Sequence, residues 1–305
     1  MTIQKTSAKP NWLRRKLPTG PGYERIRHLI KDQRLTTVCQ EAMCPNQFEC
    51  FAKGTATFMI LGEHCTRNCR FCAVGHGTAG LPDPEEPQRV AAAVQAMGLR
   101  YSVITSVTRD DLSDGGATHF AATIQAVREH NPQTLIEVLI PDLQGDPEAL
   151  KTVLASGPDV LNHNLETVER LYPEVRPEAE YQRSLEVLRH CKTLAPGMVT
   201  KSGIMVGLGE TAGELSQLFA DLRQAHCDIL TIGQYLQPSK AHLPIQRYVP
   251  PDAFAIMATE ALALGFRAVA ADPFVRSSYQ AQTLYQQASA PATTPPDLTA
   301  LARGC

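Results

Sequence analysis

The stretch ATFMILGEHCTRNCRFC, residues 56–72, decides the fold class of this chain. Its first six residues form a short apolar run that predicts a buried β-strand, so the cysteine-rich segment lies in the loop after that strand. Further β-branched runs alternate with segments of 3.6-residue apolar period. The runs predict strands at 56–61, 101–106, 134–140, 159–162, 199–206 and 228–232. The periodic segments predict helices at 84–97, 117–130, 147–155, 181–194, 212–225 and 251–264.

The alternation indicates six βα units around a parallel sheet. A doubly wound sheet shares this pattern, but no GxGxxG follows the first strand and no GxxxxGK[ST] occurs in the sequence. We therefore expect an α/β fold built as a partial (β/α)6 TIM-type barrel, with its chemistry at the carboxyl ends of the strands. The expected organisation is an N-terminal extension at 1–54, the barrel at 55–270 and a C-terminal extension at 271–305. Asp83 before Pro84, and Asp146 before Pro147, predict two helix starts.

Composition excludes several classes of protein. The 305 residues carry 29 basic and 31 acidic side chains, a formal charge of −2, so no global positive field would grip nucleic acid or an anionic membrane. No apolar run reaches the roughly 18 residues that a membrane helix needs, and the N-terminus lacks the apolar region of a secretory signal. We expect a soluble, cytoplasmic protein whose partners include neither nucleic acid nor membrane.

The two ends of the chain differ from its middle. Residues 1–35 hold several basic side chains around the only tryptophan, Trp12, and we interpret them as an extended arm. A solvated tail and an organelle-targeting segment are the alternatives. The Ala-, Thr- and Pro-rich residues after about 289 are too poor in bulky apolar side chains to pack, so we expect a mobile tail there.

The cysteines are unevenly distributed. Six of the nine lie between Cys39 and Cys72, where an even distribution would place about one. Cys65, Cys69 and Cys72 form a CxxxCxxC run in the first βα loop, where barrel active sites are built. A zinc site with His64 as a fourth ligand is the alternative, but closed zinc sites usually use two separated pairs of ligands. Three thiolates suit a four-iron cluster that leaves one iron open.

A CxxxCxxC run with an aromatic residue before its last cysteine, here Phe71, resembles the motif of the radical S-adenosylmethionine enzymes. The resemblance implies that the open iron chelates the amino and carboxylate groups of S-adenosylmethionine. It also implies that an electron from the cluster cleaves this molecule to methionine and a 5′-deoxyadenosyl radical. Such a radical removes hydrogen from an unactivated carbon, which a general base cannot do. Cys65, Cys69 and Cys72 would then be the catalytic cluster ligands.

A second triad, Cys39, Cys44 and Cys50, lies just before the barrel with a different spacing. Three small buried side chains are the alternative, but the polar residues between them give no apolar period that would bury them. We therefore expect two [4Fe-4S] clusters, the second of which needs a further ligand from elsewhere. The remaining cysteines fit no cluster spacing, and we expect two of them to be buried as small hydrophobic side chains and the terminal one to be idle: Cys191, Cys227 and Cys305.

The pair of triads resembles the lipoyl synthase family, and further motifs extend the resemblance from about residue 9 to 287. The motifs are KPNWLR at 9–14, VTRDDLSDGGA at 107–117, NHNLETV at 162–168, KSGIMVGLGE at 201–210, QYLQPS at 234–239 and RSSY at 276–279. The resemblance implies that Ser278 is the fourth ligand of the auxiliary cluster, although Ser277-Ser278 read alone would be an ordinary helix start. Asp272 and Gln280 depart from the family pattern, but they flank the motif and are not ligands.

The segment at 162–166 also resembles one that contacts S-adenosylmethionine in biotin synthases. On that resemblance we expect Asn164 and Glu166 to contact the ribose and Arg183 to pair with the carboxylate. The carboxylate of Glu166 can accept hydrogen bonds from both ribose hydroxyls; an acid at a helix start is the alternative. His163 would then only fill space in the loop.

The resemblance implies insertion of two sulfur atoms, at C6 and C8 of an octanoyl chain on a lysine of a lipoyl carrier domain, with the auxiliary cluster sacrificed as the source. The implied carrier is a 2-oxoacid dehydrogenase E2 or glycine cleavage H protein, which the basic residues between 5 and 27 would attract if it is acidic. A low-potential donor such as ferredoxin or flavodoxin would supply electrons. Two rival classes remain: a biotin synthase relative, and an electron-transfer protein that only houses two clusters.

Overall fold

The computed structural model of the chain describes residues 9–14 and 21–290. Within these residues, eight strands form one sheet in which each strand lies beside its neighbours in sequence. The first pair is antiparallel and the others are parallel. The strands are β1 (Thr36–Thr37), β2 (Thr57–Ile60), β3 (Tyr101–Ser106), β4 (Leu135–Leu139), β5 (Val160–Asn162), β6 (Val199–Val206), β7 (Ile229–Gln234) and β8 (Ala268–Ala271).

Helices alternate with the parallel strands. In the described ranges they are α1 (Pro21–Asp32), α2 (Val38–Glu41), α3 (Gln47–Ala52), α4 (Glu86–Met97), α5 (Ala117–His130), α6 (Pro147–Ala155), α7 (Tyr172–Val175), α8 (Tyr181–Leu194), α9 (Ala212–Gln224), α10 (Pro251–Ala263) and α11 (Ala281–Ser289). Short 3-10 helices lie at Asn11–Leu13, Leu143–Gly145 and Glu169–Leu171. Among the helices described, none is long and apolar enough to cross a membrane.

Six βα units run from β2–α4 to β7–α10, which confirms the predicted partial (β/α)6 barrel. Over the described residues β1 and β8 are the two edges of the sheet and do not pair with each other, so the barrel is open. The six predicted strands correspond to β2–β7, and the six predicted helices to α4, α5, α6, α8, α9 and α10. Every predicted boundary lies within two residues of the observed one.

One of the two predicted helix starts is correct. The Asp146 carboxylate accepts a hydrogen bond from the Glu148 amide at 2.9 Å, as an N-cap should. The start at Asp83 is wrong by two residues, because its carboxylate instead accepts from the Glu85 amide, also at 2.9 Å, within a turn. Helix α4 therefore begins with the second proline, Pro87, in its first turn.

The interpretation of residues 1–35 as an extended arm is wrong for 21–32, which form α1. Ile26 and Ile30, one helical turn apart, are buried, and the Tyr23 ring stacks on Phe48 of α3 with centroids 5.1 Å apart. One apolar stripe is therefore enough to pack a helix whose other faces are charged. Residues 1–8 and 15–20 of the expected arm lie outside the described residues.

Helix α11 closes the amino-terminal end of the barrel. Its Leu284 and Ala288 pack with apolar side chains of the strands: Val160, Val199, Ile229 and Ala268. The Tyr285 ring lies 6.1 Å from the Tyr101 ring of β3. This helix falls within the predicted C-terminal extension, whereas the predicted mobile tail after about 289 lies almost wholly outside the described residues.

A buried ion pair lies inside the barrel. Lys201 Nζ is 2.8 Å from Glu137 Oε1, and both side chains are 0% exposed. The Tyr101 hydroxyl donates to Glu137 Oε2 at 2.6 Å, and the Asn162 amide donates to Oε1 at 3.1 Å. Both carboxylate oxygens therefore have partners, as burial of a charge requires.

Candidate active site

A cavity of about 520 Å³ opens at the carboxyl ends of the strands. Its walls combine the ends of β3 and β4, the loop after β5, the second halves of β6 and β7, and segments of both predicted extensions. Most of the predicted site residues line it: Cys39, Cys44, Cys65, Cys69, Cys72, Asn164, Glu166 and Ser278. Of the predicted set, Cys50 and Arg183 do not line it.

Four hydrogen bonds hold the CxxxCxxC loop, two of them within its own backbone and two from Thr108 and His242. The Cys65 amide donates to the Gly75 carbonyl at 2.8 Å, and the Gly77 amide donates to the Cys65 carbonyl at 2.9 Å. The Thr108 amide donates to Cys65 Sγ at 3.3 Å. Farther along, His242 Nε2 donates to the Cys72 carbonyl at 3.0 Å. These bonds fix the loop at both ends, so its sulfur atoms stay at the cavity wall.

Arg67, inside the same loop, is clamped between two carboxylates. Its guanidinium makes two hydrogen bonds to Asp110, at 2.6 and 2.9 Å, and two to Asp142, at 3.0 and 2.7 Å. Burial alone would raise the pKa of Asp142, but the hydrogen bonds and charge of Arg67 outweigh it and lower that pKa to about 2. The clamp joins the loop to the ends of β3 and β4.

The two triads supply the type of donor that holds iron–sulfur clusters, and at four of the six cysteines burial disfavours the free thiolate. Burial raises the pKa of Cys72 and of Cys39 to about 12, that of Cys50 to about 11, and also that of Cys69. Buried thiols in this setting ionise when a cation is beside them, and iron–sulfur clusters are held by such thiolates. In the described part of the chain, no three His, Cys, Asp or Glu side chains are grouped to hold a single metal ion. The ligands of a four-iron cluster each bind a different iron atom, so their side chains need not converge on a single point.

The second triad lies on two short helices and the turn between them. Cys39 is in α2 and Cys50 in α3, and the Cys44 amide donates to the Cys39 carbonyl at 3.1 Å. The Cys50 amide donates to the Asn46 carbonyl at 2.9 Å. Cys39 and Cys44 line the cavity that the first triad also lines, whereas Cys50 does not.

The segment with the second triad is joined to the RSSY loop, although more than 220 residues separate them in sequence. The buried Asn46 amide donates to the Phe274 carbonyl at 2.7 Å. The Tyr279 hydroxyl donates to Glu49 Oε1 at 3.5 Å. These contacts bring Ser278 to the same cavity as Cys39 and Cys44, without any helix start at the two serines.

Asn164 and Glu166 form a polar ledge after β5. Glu166 has a φ of 66°, a left-handed backbone that costs a non-glycine residue roughly 1–2 kcal/mol. Two backbone hydrogen bonds hold it there, one to the Gly203 carbonyl at 3.0 Å and one from the Met205 amide at 2.8 Å. Burial raises the pKa of Glu166, while the charge of Arg176 and the amide of Asn164 oppose that rise.

Arg183 is placed away from this ledge. Its guanidinium contacts Asp142 at 3.5 Å and also pairs with Glu180. Arg176 lines the cavity instead, and its Nη1 donates to the Asn164 carbonyl at 2.9 Å. The sequence offers no signal that separates these two arginines, since both follow the same strand within about 20 residues.

His163 lines the cavity beside Asn164. Its Nδ1 donates to the Ile140 carbonyl at 2.9 Å, and burial lowers its pKa to about 4. The ring is therefore neutral near pH 7, with its proton on Nδ1. Its Nε2 has no hydrogen-bond partner among the described atoms.

Two glycines that sequence reasoning passed over shape the cavity floor. A Cβ on Gly203 of β6 would lie 2.9 Å from Ser277 Oγ, and one on Gly233 of β7 would lie 2.1 Å from the Val275 carbonyl oxygen. The loop before Ser278 therefore rests directly on these strands. Glycine inside a strand signals such close backbone approach, and both predicted strands carry this signal.

The other cysteines stand apart from this site. Cys191 and Cys227 are fully buried, which confirms the prediction that they act as small hydrophobic side chains. Cys305 lies outside the described residues.

An open (β/α)6 barrel with three cysteines in its first loop is the architecture of the radical S-adenosylmethionine enzymes. A family model described as the radical SAM superfamily matches residues 59–222. The crystal structure of Streptococcus suis SuiB bound to precursor peptide SuiA aligns with a TM-score of 0.54 at 11% identity, covering 81% of this chain and 52% of that one. At this identity the likeness shows the fold alone.

Relatives of higher sequence identity identify the family within the radical S-adenosylmethionine enzymes. A model for the N-terminal domain of lipoyl synthase of the radical SAM family matches residues 2–44. The lipoyl synthase of Desulfotalea psychrophila is 64% identical over 280 residues, 92% of this chain and 94% of that one. That of Alkaliphilus metalliredigens is 55% identical over 273 residues, 90% and 94% of the two chains. This chain belongs to the lipoyl synthase family, so it is an enzyme that uses a [4Fe-4S] cluster and S-adenosylmethionine. The two alternatives, a biotin synthase relative and an electron-transfer protein, are therefore excluded.

Proposed function

We propose that this chain inserts sulfur at C6 and C8 of an octanoyl-lysine and that a second cluster, held by Cys39, Cys44, Cys50 and Ser278, provides that sulfur. The family supports sulfur insertion into a protein-bound octanoyl group. One observation supports the second cluster: Cys39, Cys44 and Ser278 line the same cavity as the three cysteines of the first triad. A carbon activated beside the first triad would then have sulfur within the same enclosed volume.

The first triad, Cys65, Cys69 and Cys72, is the proposed holder of the catalytic cluster. When bound, this cluster and S-adenosylmethionine supply an oxidant that can remove hydrogen from an unactivated carbon. We assign the ribose to Asn164 and Glu166, since an amide and a carboxylate on one ledge can serve neighbouring hydroxyls. Arg176 replaces Arg183 as the candidate for pairing with the carboxylate of this ligand, because Arg176 lines the cavity and Arg183 does not.

The remaining cavity wall suits an uncharged acyl chain. Its apolar part comes from the N-terminal segment, the strands and the loop after β7: Val38, Met59, Leu139, Ile204, Met205 and Leu236. Apolar contacts of this kind gain roughly 25 cal/mol for each Å² of buried surface. The acyl group is therefore expected to lie against this wall, with its lysine arm toward the mouth.

Serine has a chemical reason to be the auxiliary ligand. An oxygen donor binds iron less firmly than a thiolate does in soft-metal terms, so Ser278 can leave when that site gives up sulfur. On this proposal the Ser278→Cys variant still loads a second cluster but inserts sulfur poorly.

We also propose two protein partners, a carrier of the octanoyl group and an electron donor. The carrier would be an E2 component of a 2-oxoacid dehydrogenase or a glycine cleavage H protein, and the reductant a ferredoxin or flavodoxin. We place the reaction in the cytoplasm, because six thiols that bind iron must stay reduced. The division at 1–54, 55–270 and 271–305 is likewise proposed, with the first and last parts building the auxiliary site.

The test is anaerobic reconstitution followed by turnover with an octanoylated peptide. We expect about eight irons per chain and a peptide mass gain of two sulfurs less the hydrogens lost. Cys44→Ala should keep about four irons and still release 5′-deoxyadenosine, but yield no thiolated peptide. Cys227→Ala is the matched control, because this thiol is fully buried outside both triads. Full thiolation by Cys44→Ala would contradict the proposal.

A further inference from the structure

The RSSY loop is hydrogen-bonded to the ledge assigned to the ribose. Asn164 Nδ2 donates to Ser277 Oγ at 2.6 Å and to Glu166 Oε1 at 2.9 Å. The Glu166 carboxylate fixes the orientation of the Asn164 amide, because only the NH2 group can donate to it, and in that orientation the amide also donates to the Ser277 hydroxyl. A serine beside the proposed auxiliary ligand thus supports the amide in that orientation.

The contact between Asn164 and Ser277 is tightly packed against Gly203. A Cβ on Gly203 would lie 2.7 Å from Thr231 Oγ1, 2.8 Å from Asn164 Oδ1 and 2.9 Å from Ser277 Oγ. The amide and the hydroxyl therefore occupy space that any other residue at position 203 would fill. A shift of Ser277 must move Asn164 or break their bond.

The same short loop reaches the auxiliary site at its next residues. Ser278 lines the cavity, and the Tyr279 hydroxyl lies 3.5 Å from Glu49 Oε1, one residue before Cys50. Ser277 and Ser278 share a planar peptide bond, so a change in the position of one is transmitted to the other. The loop is thus in contact with the ribose ledge at one end and with Glu49, the residue before Cys50, at the other.

From this arrangement we infer that Ser277 is a positioning residue that makes S-adenosylmethionine affinity depend on the state of the auxiliary site. The inference rests on the proposed function. With Ser278 bound to iron, the loop holds Ser277 against Asn164, and the ledge is preorganised for the ribose. When that iron is lost, the loop relaxes and the ledge loses its support. An enzyme with a spent auxiliary site would then bind less S-adenosylmethionine and cleave less of it without product.

The test compares dissociation constants for S-adenosylmethionine, measured by anaerobic equilibrium dialysis. The reconstituted enzyme should bind about fivefold more tightly than Cys44→Ala, which lacks the auxiliary cluster, as expected for a modest coupling between sites. In the Ser277→Ala background this ratio should fall to about one, whereas Ser277→Thr, which keeps a hydroxyl, should retain it. Ser102→Ala is the matched control, because that hydroxyl is fully buried and has no hydrogen-bond partner among the described atoms.

Two results would overturn the inference: a ratio near one in the unsubstituted protein, or an undiminished ratio with Ser277→Ala. If the alanine variant does not fold, the isosteric pair Ser277→Thr and Ser277→Val asks the same question, with loss of the ratio expected for valine alone. Iron counts separate the two proposals. About four irons in the unsubstituted protein would mean that the proposed function has failed, whereas about eight irons with a ratio of one would mean that only the coupling has failed.

Discussion

Glu137 is a carboxylate with no access to water, held by the ammonium group of Lys201 at 2.8 Å. Glu137→Gln leaves that ammonium buried without a counter-charge, which should lower the free energy of unfolding by about 3–5 kcal/mol. Urea denaturation of the metal-free protein, followed by circular dichroism, measures this loss. The double variant Glu137→Gln with Lys201→Met removes both charges and should recover most of it. A single variant as stable as the parent would mean that the ammonium finds another partner.

The sequence predicted some of the site residues and not others. The cysteines could be found because their spacing is a local property of the chain. The choice between Arg176 and Arg183 could not, because it depends on how the loop after β5 turns back over the cavity. Ser277 gave no sign of its contact with Asn164, since the two residues are 113 positions apart. Long-range polar contacts have no period in a sequence.

The RSSY loop, residues 276–279, packs against Gly203 of β6 and Gly233 of β7. Adding a side chain at either glycine should therefore displace this loop. Gly233→Ala places a Cβ 2.1 Å from the Val275 carbonyl oxygen, so the loop must shift and take Ser278 away from the second triad. Reconstituted protein should then fall from about eight irons toward four. Gly213→Ala in α9 is the control, since a Cβ there meets nothing within 4 Å and helices favour alanine by about 1 kcal/mol. Full iron loading of Gly233→Ala would show that Ser278 does not need this loop position.

Elements with strong local patterns were predicted well, and those that depend on their surroundings were not. The six βα units follow from β-branched runs and helical periods that each segment carries by itself. The sequence of β8, Ala-Val-Ala-Ala, has little β propensity and becomes a strand because β7 offers it an edge. Helix α1 was missed because basic residues hid a narrow apolar stripe.

In the molecule as a whole, the two predicted extensions contact each other through Asn46 and Phe274. Asn46→Ala removes the buried hydrogen bond to the Phe274 carbonyl, a net loss of roughly 0.5–1.5 kcal/mol. We expect a chelator to withdraw the auxiliary irons several-fold faster from this variant, while the other cluster is unaffected. Asn131→Ala is the control, because its amide donates to the Ala91 carbonyl at 3.0 Å at the far end of the barrel. Equal withdrawal rates in the two variants would argue against a junction at Asn46.

Helix α11 fills the amino-terminal end of the barrel with apolar side chains, and in the described part of the chain the cavity opens at the opposite end. On the proposed function, the acyl chain, the nucleoside and any iron or sulfide that rebuilds the second cluster would enter at that end, so a bound acyl chain would stand in the way of the others. The thiolated product would then have to dissociate before the auxiliary cluster could be rebuilt.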